Sequence, residues 1–214
     1  TAKDSIPEGT PLIFHINATY SNVGLTTNDT VALNDPIKAG LQWLRNHQNP
    51  DGSWSNSVGI TSLATLAFLN AGYDETNPTV RKAIDYILSK VQPDGRITTG
   101  YDTYETSLAI IALVATHNNS YNTTIENAAQ WLKDSQWDES CLWESVSKDD
   151  WRYGGFGYGH STRPDLSNTQ FALMALDAVP SISKDDFLWD KAQVFLARDQ
   201  MRQENVTIPD LNYT

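Results

Sequence analysis

The chain repeats itself, and this limits its fold more than any other feature. A first block runs Lys38-Ala39, Trp43-Leu44, Gln48 and Gly52-Ser53-Trp54. A second carries Lys82-Ala83, Tyr86-Ile87 and Pro93-Asp94-Gly95. A third carries Ala128, Trp131-Leu132, Gln136 and, after an insertion, Gly154-Gly155-Phe156. A fourth begins with Lys191-Ala192, Phe195-Leu196 and Gln200. Each of the first three has a matching second half: Thr61-Ser62-Leu63-Ala64, Thr106-Ser107-Leu108-Ala109 and Thr169-Gln170-Phe171-Ala172. Units recurring at a period of about 44 residues cannot bury their apolar faces alone, so neighbours must stack into one continuous core.

Within a unit, the first half has apolar residues at helical spacing: Ile37, Leu41 and Leu44, then Val80, Ile84 and Ile87. Asp35-Pro36 and Asn77-Pro78 read as N-cap and N1 pairs. The second halves are apolar nearly all round, the mark of a helix buried on most sides. Asn49-Pro50-Asp51-Gly52 and Gln92-Pro93-Asp94-Gly95 are turn chemistry between the two halves. Each repeat therefore reads as an amphipathic outer helix, a glycine turn and a packed inner helix.

These motifs fit the pattern Lys/Arg-Gly/Ala, aromatic-aliphatic, Gln, Gly-x-Trp, completely in the first copy and partly in the third and fourth. The chain thereby resembles the prenyltransferase/squalene-oxidase repeat of the terpenoid cyclase α/α-toroid superfamily. Gly155-Phe156-Gly157-Tyr158-Gly159 followed by Arg163-Pro164-Asp165-Leu166-Ser167-Asn168 is similar to squalene-hopene-cyclase-like proteins. The resemblance implies an all-α, α/α-toroid-type stack of helical hairpins over residues 36–203, with repeats at about 36–76, 77–122, 123–182 and 187–203. A closed toroid needs more pairs than the three encoded here, so an incomplete arc is expected. In this pattern the Gln closes the outer helix and the Trp covers the neighbouring repeat.

The ends of the chain differ. Residues 11–20 alternate Leu12, Phe14, Ile16, Ala18 and Tyr20 against Ile13, His15, Asn17 and Thr19, which is strand period. Residues 205–213 are more weakly strand-like, and Pro209 limits them to an edge. The expected organisation is an extended tail over 1–35, the repeat domain over 36–203 and a second extended tail over 204–214.

With 15 Lys+Arg against 26 Asp+Glu, the formal net charge is −11. That argues against nucleic acid, which needs a basic footprint, and no apolar run is long enough for a membrane span. The single cysteine, Cys141, permits no internal disulfide or multi-cysteine metal site and reads as a small buried residue. Asn-x-Ser/Thr sequons at Asn17, Asn28, Asn118, Asn122, Asn205 and Asn212 suggest N-linked glycans and an extracellular or cell-surface location. The chain opens on Thr1 without a basic n-region or apolar h-region, so any signal peptide is expected to be gone already.

Catalytic motifs are missing. The superfamily's cyclases use an Asp-x-Asp-Asp acid, and neither Asp149-Asp150 nor Asp185-Asp186 completes it. Its prenyltransferases bind zinc through Asp, Cys and His, and here Cys141 has no downstream His beyond His160. The glycine run from Gly154 to Gly159 lacks the preceding strand of a phosphate cradle and reads as a packing turn. No cofactor is implied, and Asp138, Glu139, Glu144, Asp149 and Asp150 leave open only a calcium site with no EF-hand spacing. A toroid brings inner-helix N-termini together. Tyr104, Glu105, His160, Arg163, Asp165 and Asn168 are therefore the ligand-binding candidates at a polar mouth. The leading expectation is an extracellular structural or assembly subunit, of a surface layer or filament, that associates through its terminal strands and arc ends. A secreted small-molecule or glycan binding module, or a cyclase- or lyase-like enzyme, is the alternative.

Overall fold

The computed structural model describes residues 36–159 and 163–200. The chain divides into two units, 1–35 and 36–214, and every described residue belongs to the second. The expected strands at 11–20 and 205–213 lie outside the described residues, as do Asn17, Asn28, Asn205, Asn212 and His160.

The described residues form seven α-helices: α1 (Pro36–Asn46), α2 (Val58–Asn70), α3 (Pro78–Leu88), α4 (Asp102–Ala115), α5 (Asn122–Asp134), α6 (Leu166–Ala178) and α7 (Phe187–Asp199). Outer helices α1, α3, α5 and α7 alternate with inner helices α2, α4 and α6, as the repeat requires. The helix starts are written in the sequence. Ser57, Asn77, Asp165 and Asp186 cap α2, α3, α6 and α7 with their side chains, and Pro78 takes the first turn of α3.

The inner helices pack in a row, α2 on α4 and α4 on α6, while α3 lies against α2 and α5 against α4. Outer helices α3 and α5 thus pack on the inner helix of the repeat before them. The core runs through Phe68, Ile84, Ile87, Leu108, Ile110, Leu113, Leu132 and Leu176, all fully buried.

Three contacts recur in register. The hydroxyls of Thr61, Thr106 and Thr169 accept from the backbone N–H of Trp54, Ile97 and Phe156, each at 3.0 Å. Asn49, Gln92 and Trp137 each receive the N–H of the turn glycine, Gly52, Gly95 and Gly154. These glycines have φ of +91°, +96° and +87°. At Gly52 a Cβ would lie 2.1 Å from the carbonyl oxygen of Lys82, on the next outer helix, so only glycine lets the repeats close up. The third turn holds the insertion, residues 138–153, where the other two have Pro-Asp. Phe156 is fully buried, and the glycine run is a packing turn.

The structure refines the roles of Gln and Trp. Gln48 Nε2 donates to the carbonyls of Gly52 and of Thr79 in the next repeat, both at 2.9 Å. Gln136 does the same toward Gly154 and Leu188, both at 3.0 Å. The glutamine therefore joins repeats, beyond closing its own helix. Trp54 is buried in the shared core, where its indole N–H donates to Leu44 O at 2.9 Å and its ring stacks on Phe68.

Candidate functional site

The N-terminal ends of the inner helices do meet. Glu105, in the first turns of α4, is almost fully buried. Its Oε1 accepts from Ser57 Oγ (2.8 Å), Thr99 Oγ1 (2.7 Å) and Gly59 N (3.2 Å). Its Oε2 accepts from Thr99 N (2.6 Å), Gly100 N (3.0 Å), Thr98 Oγ1 (3.1 Å) and Tyr101 N (3.3 Å). Burial pushes this carboxyl up, but the hydrogen bonds from Thr99, Ser57 and Gly59 outweigh it and hold the pKa at about 2. The positive ends of α2 and α4 favour the anion as well. This candidate therefore acts as a structural anion whose acceptor sites are occupied by the protein itself.

The remaining candidates spread around it. Tyr104 is half-buried between Gly59 and the ring of Phe171, which it meets edge-on with centroids 5.0 Å apart. Asp165 caps α6, accepting from Asn168 N at 2.8 Å and Asn168 Nδ2 at 2.7 Å. Asn168 is fully buried, and its Oδ1 has no partner among the described residues. Arg163 is exposed. So Tyr104, Glu105, Asp165 and Asn168 sit on adjacent helix starts, but Glu105 and the Asp165–Asn168 pair are taken up by capping.

Sequence reasoning missed two parts of this end. The Thr98-Thr99-Gly100 run wraps Glu105, and its hydroxyl-rich character just before an inner helix was the available signal. Exposed Tyr101 and Tyr158 meet edge-on at 5.5 Å, beside Asp102, which pairs with Arg96 at 3.4 Å.

Cavities lie elsewhere. One of about 230 Å³ sits at the C-terminal end of α4, lined by Leu113, His117, Asn118, Ile125 and Val179. A larger groove of about 590 Å³ runs along the second turn and α5. Of the two described sequons, Asn122 is exposed at the start of α5. Asn118 instead donates from Nδ2 to Glu75 at 2.9 Å and accepts from Ser120 N at 3.0 Å.

The acidic insertion is occupied by cations of the chain. Arg152 holds Glu144 and Asp150, each at 2.8 Å, and Lys191 holds Asp138 at 2.8 Å and Glu139 at 3.3 Å. No group of three or more metal-ligating side chains occurs among the described residues. Cys141 is buried with Trp137, Val146 and Tyr153. Asp186 caps α7 and pairs with Lys133.

Fold and site together define a helical-hairpin repeat protein whose inner helix starts are tied by a buried carboxylate. The squalene-hopene cyclase C-terminal domain matches residues 55–205, and the chain belongs to that family. No curated protein matches the chain. No helix of the described residues is long and apolar enough to cross a membrane.

Proposed function

We propose that this chain is an extracellular structural or assembly subunit, of a surface layer or filament, built on a catalytically inactive cyclase-like repeat. One observation supports this reading above the others: among the described residues, apolar positions that are buried inside the stack are exposed toward its ends. The shared turn register pairs Ile37 and Trp43 of α1 with Val80 and Tyr86 of α3. Val80 and Tyr86 are 0% and 5% exposed, whereas Ile37 and Trp43 are 66% and 57% exposed. On the inner row, Leu108 of α4 is 1% exposed, and its counterpart Leu63 of α2 is 44% exposed. Ile60 continues that stripe, and Leu166 and Met174 are exposed on α6 at the far end of the row. Exposed apolar surface at the ends of a repeat stack is suited to interaction with a partner.

A second copy supplies complementary chemistry, because repeats of this chain already pack on one another through these positions. The two end faces differ, so contact between them is heterologous and leads to rings or open filaments. The inactivity part of the reading rests on the acids: Asp150 and Asp186 are ionised and tied to Arg152 and Lys133, not held as protonated donors. Incubation with squalene or a prenyl diphosphate is expected to leave substrate unchanged. The exposed Asn122 sequon agrees with an extracellular site.

Light scattering over a range of protein concentrations tests the assembly reading. The expected result is a mass that climbs above the 23.8 kDa monomer as concentration rises. Deleting residues 1–22 is expected to weaken association and leave the helical body folded. A monomeric mass at every concentration overturns the proposal.

A further inference from the structure

The repeat comparison exposes a vacancy in the second copy. Gln48 and Gln136 stand immediately before the turn residues Asn49 and Trp137, and each bridges two backbone carbonyls of adjacent repeats. The same place in the second copy, immediately before Gln92, is Val91. Valine has no donor, so among the described residues the carbonyls of Gly95 and Thr124, the counterparts of those bridged by Gln48 and Gln136, receive no such side-chain amide. Gln92 instead turns its Nε2 back to Lys90 O at 3.0 Å. The groove of about 590 Å³ lies here, with Val91, Gly95 and Thr124 in its lining.

The rest of the lining is specific in its chemistry. Asn127 and Gln130 present exposed amides from α5, and Gln130 Nε2 donates to Asp134 Oδ1 at 2.7 Å. Half-exposed Leu142 and Trp143 reach over from the insertion. Trp143 is braced by Trp131 and Trp137, with ring centroids 6.4 Å and 5.8 Å away. Arg96, the one basic residue of the lining among the described residues, is shared between Asp94 and Asp102.

We propose that this groove binds a neutral saccharide. Planar amides and a carboxylate offer paired donors and acceptors to neighbouring hydroxyls, and an aromatic ring beside an aliphatic side chain covers the C–H face of a sugar ring. The volume falls within the range of small-ligand sites. With Asp94 and Asp134 set against one engaged arginine, the groove disfavours phosphate and acidic sugars. None of the end-face residues lines it, so the site is independent of the assembly reading.

The test titrates the full chain with maltotriose, cellotriose, chitotriose and mannotriose, read by tryptophan fluorescence and saturation-transfer NMR. At least one is expected to give a saturable isotherm. Val91→Gln restores the bridge of the other repeats and fills the groove. It is expected to raise the Tm and to weaken saccharide binding by about tenfold or more. Asn127→Ala, at an exposed position, is expected to weaken binding with the Tm unchanged. The proposal is overturned if no trisaccharide saturates, or if both variants bind as the parent does. Preferential saturation by trilysine also overturns it, because that result makes the groove an acidic peptide site.

Discussion

Glu105 is a buried anion with no basic side chain in ion-pair distance among the described residues. Seven hydrogen bonds and two helix N-termini take the place of a counter-ion. The depression from an ordinary 4.5 to about 2 corresponds to roughly 3 kcal/mol of stability at neutral pH. Because the folded pKa lies below the unfolded one, that contribution is present above the unfolded value. It is lost as pH falls from about 5 toward 2. Glu105→Gln, which places an amide against N–H donors, is expected to lower stability by about 3 kcal/mol at neutral pH. Urea melts at decreasing pH should show the gap closing. A gap independent of pH would show that the carboxylate charge contributes nothing. The sequence located Glu105 at an inner-helix start, but its role depends on Ser57 and Gly59, more than forty residues earlier, and on the Thr98-Thr99-Gly100 loop. No local pattern carries that information.

Helices, turns and caps were the legible level. Seven helices follow the repeat, Asn77-Pro78 caps as its chemistry dictates, and the glycine turns fall where their φ demands. The pattern of residue types did not reveal the partners across repeats. Gln48 looks like a helix-end residue until Thr79 comes to lie 2.9 Å from it. Gln136 is almost fully buried between Gly154 and Leu188, so Gln136→Leu leaves two carbonyls without that donor. We expect a loss of about 2 kcal/mol in chemical denaturation. Trp54→Ala removes a ring only 4% exposed and is expected to cost about 3–5 kcal/mol. The insertion has its own role at this scale. Its acids hold Lys191, and the carbonyls of Lys148 and Asp150 receive Arg198 of α7. Replacing residues 138–153 by the Pro-Asp turn of the other repeats should raise hydrogen exchange in α7 and leave α2 to α4 protected. Uniform loss of protection would mean the insertion supports the whole core.

At the scale of the molecule, a stack of repeats is complete only where each apolar face meets another. Among the described residues, the front face on α2 (Ile60, Leu63) and the rear face on α6 (Leu166, Met174) keep apolar side chains exposed. In the proposed assembly these faces meet between chains, and two variants separate that contact from nonspecific stickiness. Leu63→Glu disables the front, and Met174→Glu disables the rear. Both residues are already exposed, so each variant should fold with little loss of stability. Sedimentation velocity on the two variants, alone and mixed, is the most direct measurement. Each variant alone is expected to be monomeric, and the equimolar mixture to form a dimer and nothing larger, since only one front and one rear remain functional. A mixture that stays monomeric while the parent assembles, or single variants that assemble as the parent does, would contradict it.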